Sequence, residues 1–323
     1  MTAQARPVQA PPVDVTIDGR AVSVPAGATI LDACTQAGVD TPTLCYLETL
    51  TPVNACRVCV VEVEGSRTLV PACSRTAEEG MSIGTDTERV RLSRRMVLEF
   101  LASSVDVELT GGFSEWLAAY DGDVSRYGPP APGEGRDQRR AGHHSLPDGA
   151  TAETVGQPVK EHDDLYVRDY SKCILCYKCV EACGVDAQNS FAIAVAGRGF
   201  DARISTEFDV VLTESACVYC GNCIGVCPTG ALMFKSEFDM RDEGTWDEEQ
   251  QTVTETICSY CGVGCSLELH VQDNLIVKVT SPLDNDVTNG HLCIKGRFGW
   301  QHIQIVEKTG SRQSVVGSRQ ERS

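Results

Sequence analysis

The sequence predicts an α+β chain of three small folded modules, each stapled by bound metal and joined by polar connections. Three observations carry this expectation. The chain holds 17 cysteines in 323 residues, five of them at 34–73 and twelve at 173–293. Short period-two runs bounded by turn residues mark strands, and one long stretch has a helical apolar period. Between the cysteine groups lies a segment rich in proline, glycine and charge, which cannot bury enough surface to order itself.

Residues 1–12 are read as a disordered start. VDVTI, the Asp18-Gly19 turn and AVSV then form a hairpin. Thr29 caps a short helix that Gly38 ends, a loop holds three cysteines, and VCVVEV alternates as a strand. Thr87 to Ser104 reads as a helix with Val90, Val97, Leu98 and Leu101 on its apolar face, closing a first module at 13–104. Residues 105–164 are a degenerate region and linker; Pro129, Pro130, Pro132, Pro147 and Pro158 punctuate it. The second module, 165–236, contains two similar cysteine runs, an internal repeat. Residues 237–251 carry Glu237, Asp239, Asp242, Glu243, Asp247, Glu248 and Glu249 and are expected to be a solvated acidic linker. In the third module, 252–306, SLELHV and LIVKV flank Gln272-Asp273-Asn274 as another hairpin, and 307–323 is a disordered tail. Each module is too small for a core alone to suffice, so metal would act as a staple.

Bulk composition narrows the use of the thiols. The start, MTAQARPVQAPPVDV, has no apolar segment behind a basic end, and no run approaches the roughly 18 apolar residues of a membrane span. A cytoplasmic location is expected, where thiols stay reduced and metal ligation outranks disulfides. Against 28 Lys+Arg stand 45 Asp+Glu, a formal charge of −17 and a pI near 4.8. Such a surface repels nucleic acid and anionic membranes and favours solubility.

Cysteine spacing then separates the sites. Cys173, Cys176, Cys179 and Cys183 make C-x2-C-x2-C-x3-C, and Cys217, Cys220, Cys223 and Cys227 repeat it before Pro228. Three closely spaced thiolates wrap three corners of a cubane while the fourth reaches across to the other cluster. One [4Fe-4S] cluster is therefore expected on Cys173, Cys176, Cys179 and Cys227, and a second on Cys217, Cys220, Cys223 and Cys183. Zinc on four thiolates is the alternative, and two full copies of the run weigh against it. Cys45, Cys56, Cys59 and Cys73 form a C-x10-C-x2-C-x13-C set close to the plant-type [2Fe-2S] spacing. Cys34, on the predicted helix, reads as a packing thiol. A fourth set, Cys258, Cys261, Cys265 and Cys293, is spaced C-x2-C-x3-C-x27-C, which ferredoxin runs do not have.

These motifs resemble known families. The two runs resemble two-[4Fe-4S] bacterial ferredoxin domains, with Gly184 where that family usually has proline. The first module is similar to the [2Fe-2S] domain opening the large iron–sulfur subunit of NADH dehydrogenase, which implies a β-grasp fold. That family normally continues with a cluster on one histidine and three cysteines. With no cysteine from 74 to 172 this cluster is expected to be absent, and His143 and His144 read as solvated linker residues. The fourth set, with HLCIKGRFGW, resembles the small β-rich [4Fe-4S] domain of molybdenum or tungsten bis-pterin oxidoreductases. There Lys295 is implied to lie on the electron path toward the pterin, while His291 serves local structure.

In order, the modules resemble the N-terminal region of NAD-linked formate dehydrogenase large subunits. The resemblance implies an oxidoreductase component with one [2Fe-2S] and three [4Fe-4S] clusters, working with a pterin-containing catalytic subunit and an NAD/FMN-dependent diaphorase-type flavoprotein. Only 23 residues follow Trp300 and none is cysteine, so the catalytic pterin site is expected to lie elsewhere and no catalytic residue is assigned. A truncated catalytic subunit and a stand-alone polyferredoxin for a hydrogenase are the alternative readings.

Overall fold

The computed structural model describes residues 11–127, 159–161, 163–199, 202–302 and 304. His143 and His144, the start at 1–10, most of the expected linker and the tail beyond 304 lie outside the described residues. The first hairpin forms as expected: β1 (Val13–Ile17) pairs antiparallel with β2 (Arg20–Val24), and Asp18 and Gly19 both take positive φ at the turn. Helix α1 (Ile30–Gln36) follows. Thr29 Oγ1 accepts from Asp32 N at 3.1 Å while Thr29 N donates to the Asp32 carboxylate at 2.7 Å, a reciprocal cap satisfying donors the helix leaves free. Gly38, at φ 75°, ends it.

Strands β3 (Val60–Val63), β4 (Val70–Pro71) and β5 (Ser82–Gly84) complete a mixed sheet of order β2-β1-β5-β3-β4, in which only β1 and β5 run parallel. Ile17, Val24, Ile30, Ala33 and Ile83 bury the sheet against α1, as a β-grasp requires. Cys34 sits fully buried within this core. The expected alternation of VCVVEV does not appear: Val58, Cys59, Val60 and Val61 are all buried, because the strand is covered on both faces.

Helix α2 (Glu88–Ser104) starts at Thr87, whose hydroxyl accepts from Val90 N at 3.3 Å and donates to Glu62 of β3 at 2.7 Å. Leu98 and Ala102 are buried and Val97 and Leu101 pack beside them. Arg94 is buried too, donating to the Val60 carbonyl at 3.0 Å and the Tyr120 hydroxyl at 2.6 Å. The segment expected to be degenerate begins folded, with α3 (Phe113–Ala119) laying Phe113, Trp116 and Leu117 on the α2 side. Its aromatic residues recur at one-turn spacing, enough to bury one face in so short a helix.

In the second module β6 (Tyr166–Arg168) leads to α4 (Lys178–Cys183), the β7 (Ala194–Ala196) and β8 (Arg203–Ser205) hairpin, α5 (Asn222–Gly225) and β9 (Leu232–Phe234), which pairs with β6. The acidic stretch is not wholly a connection: α6 (Lys235–Asp242) occupies its start. Arg241 reaches Glu237 at 2.8 Å and Glu248 at 2.9 Å, so pairs of opposite charge, invisible in a count of acids, hold that turn. The third module is a meander of β10 (Thr252–Ile257), β11 (Ser266–Gln272) and β12 (Leu275–Thr280), closed by α7 (Ile294–Phe298). The β11–β12 hairpin was expected; β10, exposed along its whole length, shows no buried face by which to find it.

Candidate metal centres

Electrostatic or hydrogen-bond couplings link cysteines within each of the four sets, while no group of three or more Cys, His, Asp or Glu side chains among the described residues stands close enough to hold a metal ion. In the first module Cys45, Cys59 and Cys73 are buried and Cys56 half-buried, and Cys56 N points at Cys45 Sγ at 3.5 Å. The thiols of Cys56 and Cys73 donate to Cys45 and hold its pKa far below the ordinary thiol range. Donation from Cys73 likewise lowers Cys59, whereas Cys56 and Cys73 are raised by the same contacts and by burial. Four sulfurs sharing protons in this way form a ready site for a cation-rich group that displaces those protons.

The two runs of the second module adopt one backbone conformation twice. Leu175 and Tyr177 have φ 53° and 64°; Tyr219 and Gly221, at matching positions, have φ 56° and 73°. These left-handed residues turn amides inward: Leu175 N lies 3.4 Å from Cys173 Sγ, and Tyr219 N lies 3.4 Å from Cys217 Sγ. Burial raises Cys173 to about 12, Cys176 to about 11 and Cys179 well above its ordinary value, with the charge of Cys227 adding to each. Burial also raises Cys217, Cys220 and Cys223; the charges of their own run add to Cys217 and Cys223, that of Cys183 adds to all three, and that of Cys227 reaches Cys223. Each fourth cysteine thus acts electrostatically on the first three of the other run. Desolvated thiols of this kind carry thiolate charge comfortably only beside a cation-rich group. At the departure from the ferredoxin pattern, Gly184 N donates to Val180 O at 2.8 Å and Glu181 O at 3.0 Å, bonds a proline could not make.

In the third module Cys258 is buried, Cys265 is half-buried, and Cys261 and Cys293 are exposed. Burial raises Cys265, and the charges of Cys258, Cys293 and Cys261 raise it further. Lys295 is exposed on the first turn of α7, two residues from Cys293. His291 is half-buried with neither ring nitrogen hydrogen-bonded, and burial lowers its pKa.

The chain matches three family descriptions: a 2Fe-2S iron-sulfur cluster binding domain over residues 10–88, a 4Fe-4S dicluster domain over 172–231, and a molybdopterin oxidoreductase Fe4S4 domain over 251–304. The three modules are iron–sulfur domains. The described fold is the mixed α+β one expected of them. The chain is 33% identical over 300 residues to an NADH-quinone oxidoreductase subunit from Rhizobium meliloti, covering 90% of this chain and 32% of the relative. Against a Staphylococcus haemolyticus protein with a provisional formate dehydrogenase name it is 26% identical, covering 90% of this chain and 31% of the relative. A crystal structure of an NAD+-reducing [NiFe]-hydrogenase in the H2-reduced state aligns with a TM-score of 0.50 at 25% identity, over 69% of this chain and 87% of that one. The chain therefore spans about a third of the length of these curated relatives and corresponds to the N-terminal iron–sulfur part of such oxidoreductases. It is an electron-transfer protein of this iron–sulfur kind, and no helix among its described residues is long and apolar enough to cross a membrane.

The iron–sulfur modules are packed together. Leu47 and Leu50 of the first insert into the core of the second, and Thr51 N and Oγ1 donate to Asp186 at 2.6 and 3.0 Å. Ile174, between two cysteines of the second module, packs against the same apolar cluster as Cys56, and the charge of Cys45 is felt at Cys176. At the other end, Asn222 of α5 accepts from Leu292 N at 2.9 Å and from Arg297 at 3.1 Å. Sequence reasoning missed Arg297 and Asn222. The available signal was the crowding of Arg297 and Phe298 between Gly296 and Gly299 beside a cysteine.

Proposed function

We propose that this chain is the electron-transfer module of a formate dehydrogenase, carrying electrons between a pterin centre outside residues 1–323 and an NAD-linked diaphorase-type flavoprotein. What supports this reading is the order of domains along the chain, with the 2Fe-2S domain at 10–88, the 4Fe-4S dicluster domain at 172–231 and the molybdopterin oxidoreductase Fe4S4 domain at 251–304. In this reading Cys45, Cys56, Cys59 and Cys73 hold one [2Fe-2S] cluster. Cys173, Cys176, Cys179 and Cys227, then Cys217, Cys220, Cys223 and Cys183, hold two [4Fe-4S] clusters. Cys258, Cys261, Cys265 and Cys293 hold the third. The clusters supply one-electron redox chemistry; the chain fixes their order, their hydrogen bonds and their distance from water, which set potential. Electrons from formate enter beside Lys295, whose exposed ammonium faces outward near Cys293, and leave at the Cys45 site; carbon dioxide reduction reverses the flow. The module works in the cytoplasm.

A hydrogenase carrier is the second reading, favoured by the aligned hydrogenase structure. That likeness covers 69% of the chain, whereas the formate dehydrogenase-named and NADH-quinone relatives cover 90%. Anaerobic purification with its native neighbours, followed by iron, zinc and electron paramagnetic resonance measurements, tests the proposal. One [2Fe-2S] and three [4Fe-4S] signals, reducible by formate and reoxidised by NAD, are expected. Zinc without reducible signals, or clusters that hydrogen reduces and formate does not, would overturn it.

A further inference from the structure

Arg297 is a buried cation without a carboxylate. Its side chain is 1% exposed and makes three hydrogen bonds, to Val279 O at 3.1 Å, Asn222 Oδ1 at 3.1 Å and Gly290 O at 3.4 Å, all neutral acceptors. Nε has no partner. No ion pair to Arg297 occurs among the described residues; the ionisable groups near enough to act on it are Cys220, the Tyr166 hydroxyl and Cys223. Desolvation by burial nevertheless lowers its pKa, to about 10, which leaves it protonated at neutral pH. Leaving an ion buried without a charged partner costs several kcal/mol, which an anion close by would offset.

The surroundings are shaped for this approach. Gly221 sits between Cys220 and Cys223 at φ 73°, and a Cβ there would lie 2.7 Å from Arg297 Cγ. One turn on, a Cβ on Gly225 would meet the guanidinium at 3.4 Å. Two glycines thus let the side chain lie against the backbone of the cysteine run, and Asn222, from inside the same run, orients it. Arg297 itself comes from the third module, four residues after Cys293. It therefore stands at the junction of two cysteine sites that belong to different domains.

We infer that Arg297 is the counter-charge of the group held by Cys217, Cys220, Cys223 and Cys183, and that it raises the reduction potential of that site relative to the others. The inference rests on the cluster assignment proposed above. Reduction adds one electron to this group, taken from the group on Cys258, Cys261, Cys265 and Cys293, and moves no proton. The electron makes the accepting site more negative by one charge, and a fixed cation stabilises that state. By the same electrostatics the cation draws electrons from the third module into the second. Arg297 is thus a positioning and tuning residue which the third module lends to its neighbour.

The test is a redox titration followed by electron paramagnetic resonance on the whole chain as purified, comparing Arg297→Met, Arg297→Lys and Asn222→Asp. Asn222→Asp keeps both acceptor bonds but pairs the guanidinium with a carboxylate. In Arg297→Met and Asn222→Asp, the reduced-to-oxidised ratio of one [4Fe-4S] signal at fixed potential should fall about tenfold, about 59 mV for a one-electron couple. Arg297→Lys should move it far less, and the [2Fe-2S] signal should stay in place. If Arg297→Met loses its clusters, Asn222→Asp carries the test alone. Intact signals with unshifted potentials in Asn222→Asp and in any assembled Arg297→Met would overturn the inference while leaving the electron-transfer reading intact. A wild-type chain with no reducible cluster would overturn both.

Discussion

Burial of polar side chains is not local: Arg94, Glu99 and Arg297 are each at most 2% exposed because residues from distant segments close over them. His270 is a milder case with a pH consequence. Its ring contacts the Thr280 hydroxyl at 2.9 Å, and burial, then the charge of Lys278, lower its pKa against the opposing charges of Glu268, Glu237 and Glu248. A histidine harder to protonate folded than unfolded adds stability that is complete above the unfolded pKa of about 6.5. That stability is lost as pH falls below it. The melting temperature of the third module should therefore drop between pH 7.5 and 5.5, and His270→Gln should flatten that part of the profile; an unchanged slope in the variant would assign the effect elsewhere.

Among the elements, the first hairpin, α1, α2 and the β11–β12 hairpin follow from turn residues, caps and periodicity that the chain states openly. Three elements do not. The seven residues of α3 are too few for a period to stand out, α6 is masked by its acidic composition, and β10 has no buried face. The repeated run is the clearest element-scale lesson, since its paired left-handed residues recur at matching positions, and the proposed ligation joins each fourth cysteine to the opposite trio. Cys227→Ser should therefore perturb the cluster on Cys173, Cys176 and Cys179. Separate g-values for the two [4Fe-4S] signals, assigned with Cys176→Ser and Cys220→Ser as references, check this. A change confined to the Cys220 signal would break the crossed pairing.

Across the whole molecule the modules touch one another: Cys45 acts on Cys176, Cys223 on Cys179 and Cys220 on Arg297, while residues 48–52 of the first module share a cavity with Cys265 and Cys293 of the third. The sequence predicted the modules but not their docking, which depends on pieces such as Leu50 and Asp106 that have no distinctive pattern. Asp106 N donates to Ser171 O at 3.2 Å and Lys172 binds the Asp106 carboxylate at 2.7 Å, drawing the end of the first module onto the second. Docking at the far end depends on Gly221. An alanine there adds the strain of a left-handed residue, about 1–2 kcal/mol, and a clash with Arg297. Gly221→Ala should speed proteolytic cleavage between the second and third modules, with the first module's cleavage pattern unchanged; equal protection in both proteins would show the junction to be tolerant.

Leu50, buried in the core of a neighbouring domain, has a kinetic meaning as well. Many carriers dangle a redox domain on a tether and deliver charge by swinging it from donor to acceptor. A leucine seated in the next domain's interior, with Thr51 bonded to Asp186 beside it, holds the [2Fe-2S] domain still. In the electron-transfer role proposed above, such a fixed domain would make the gaps between sites, not a domain's travel through water, set the pace.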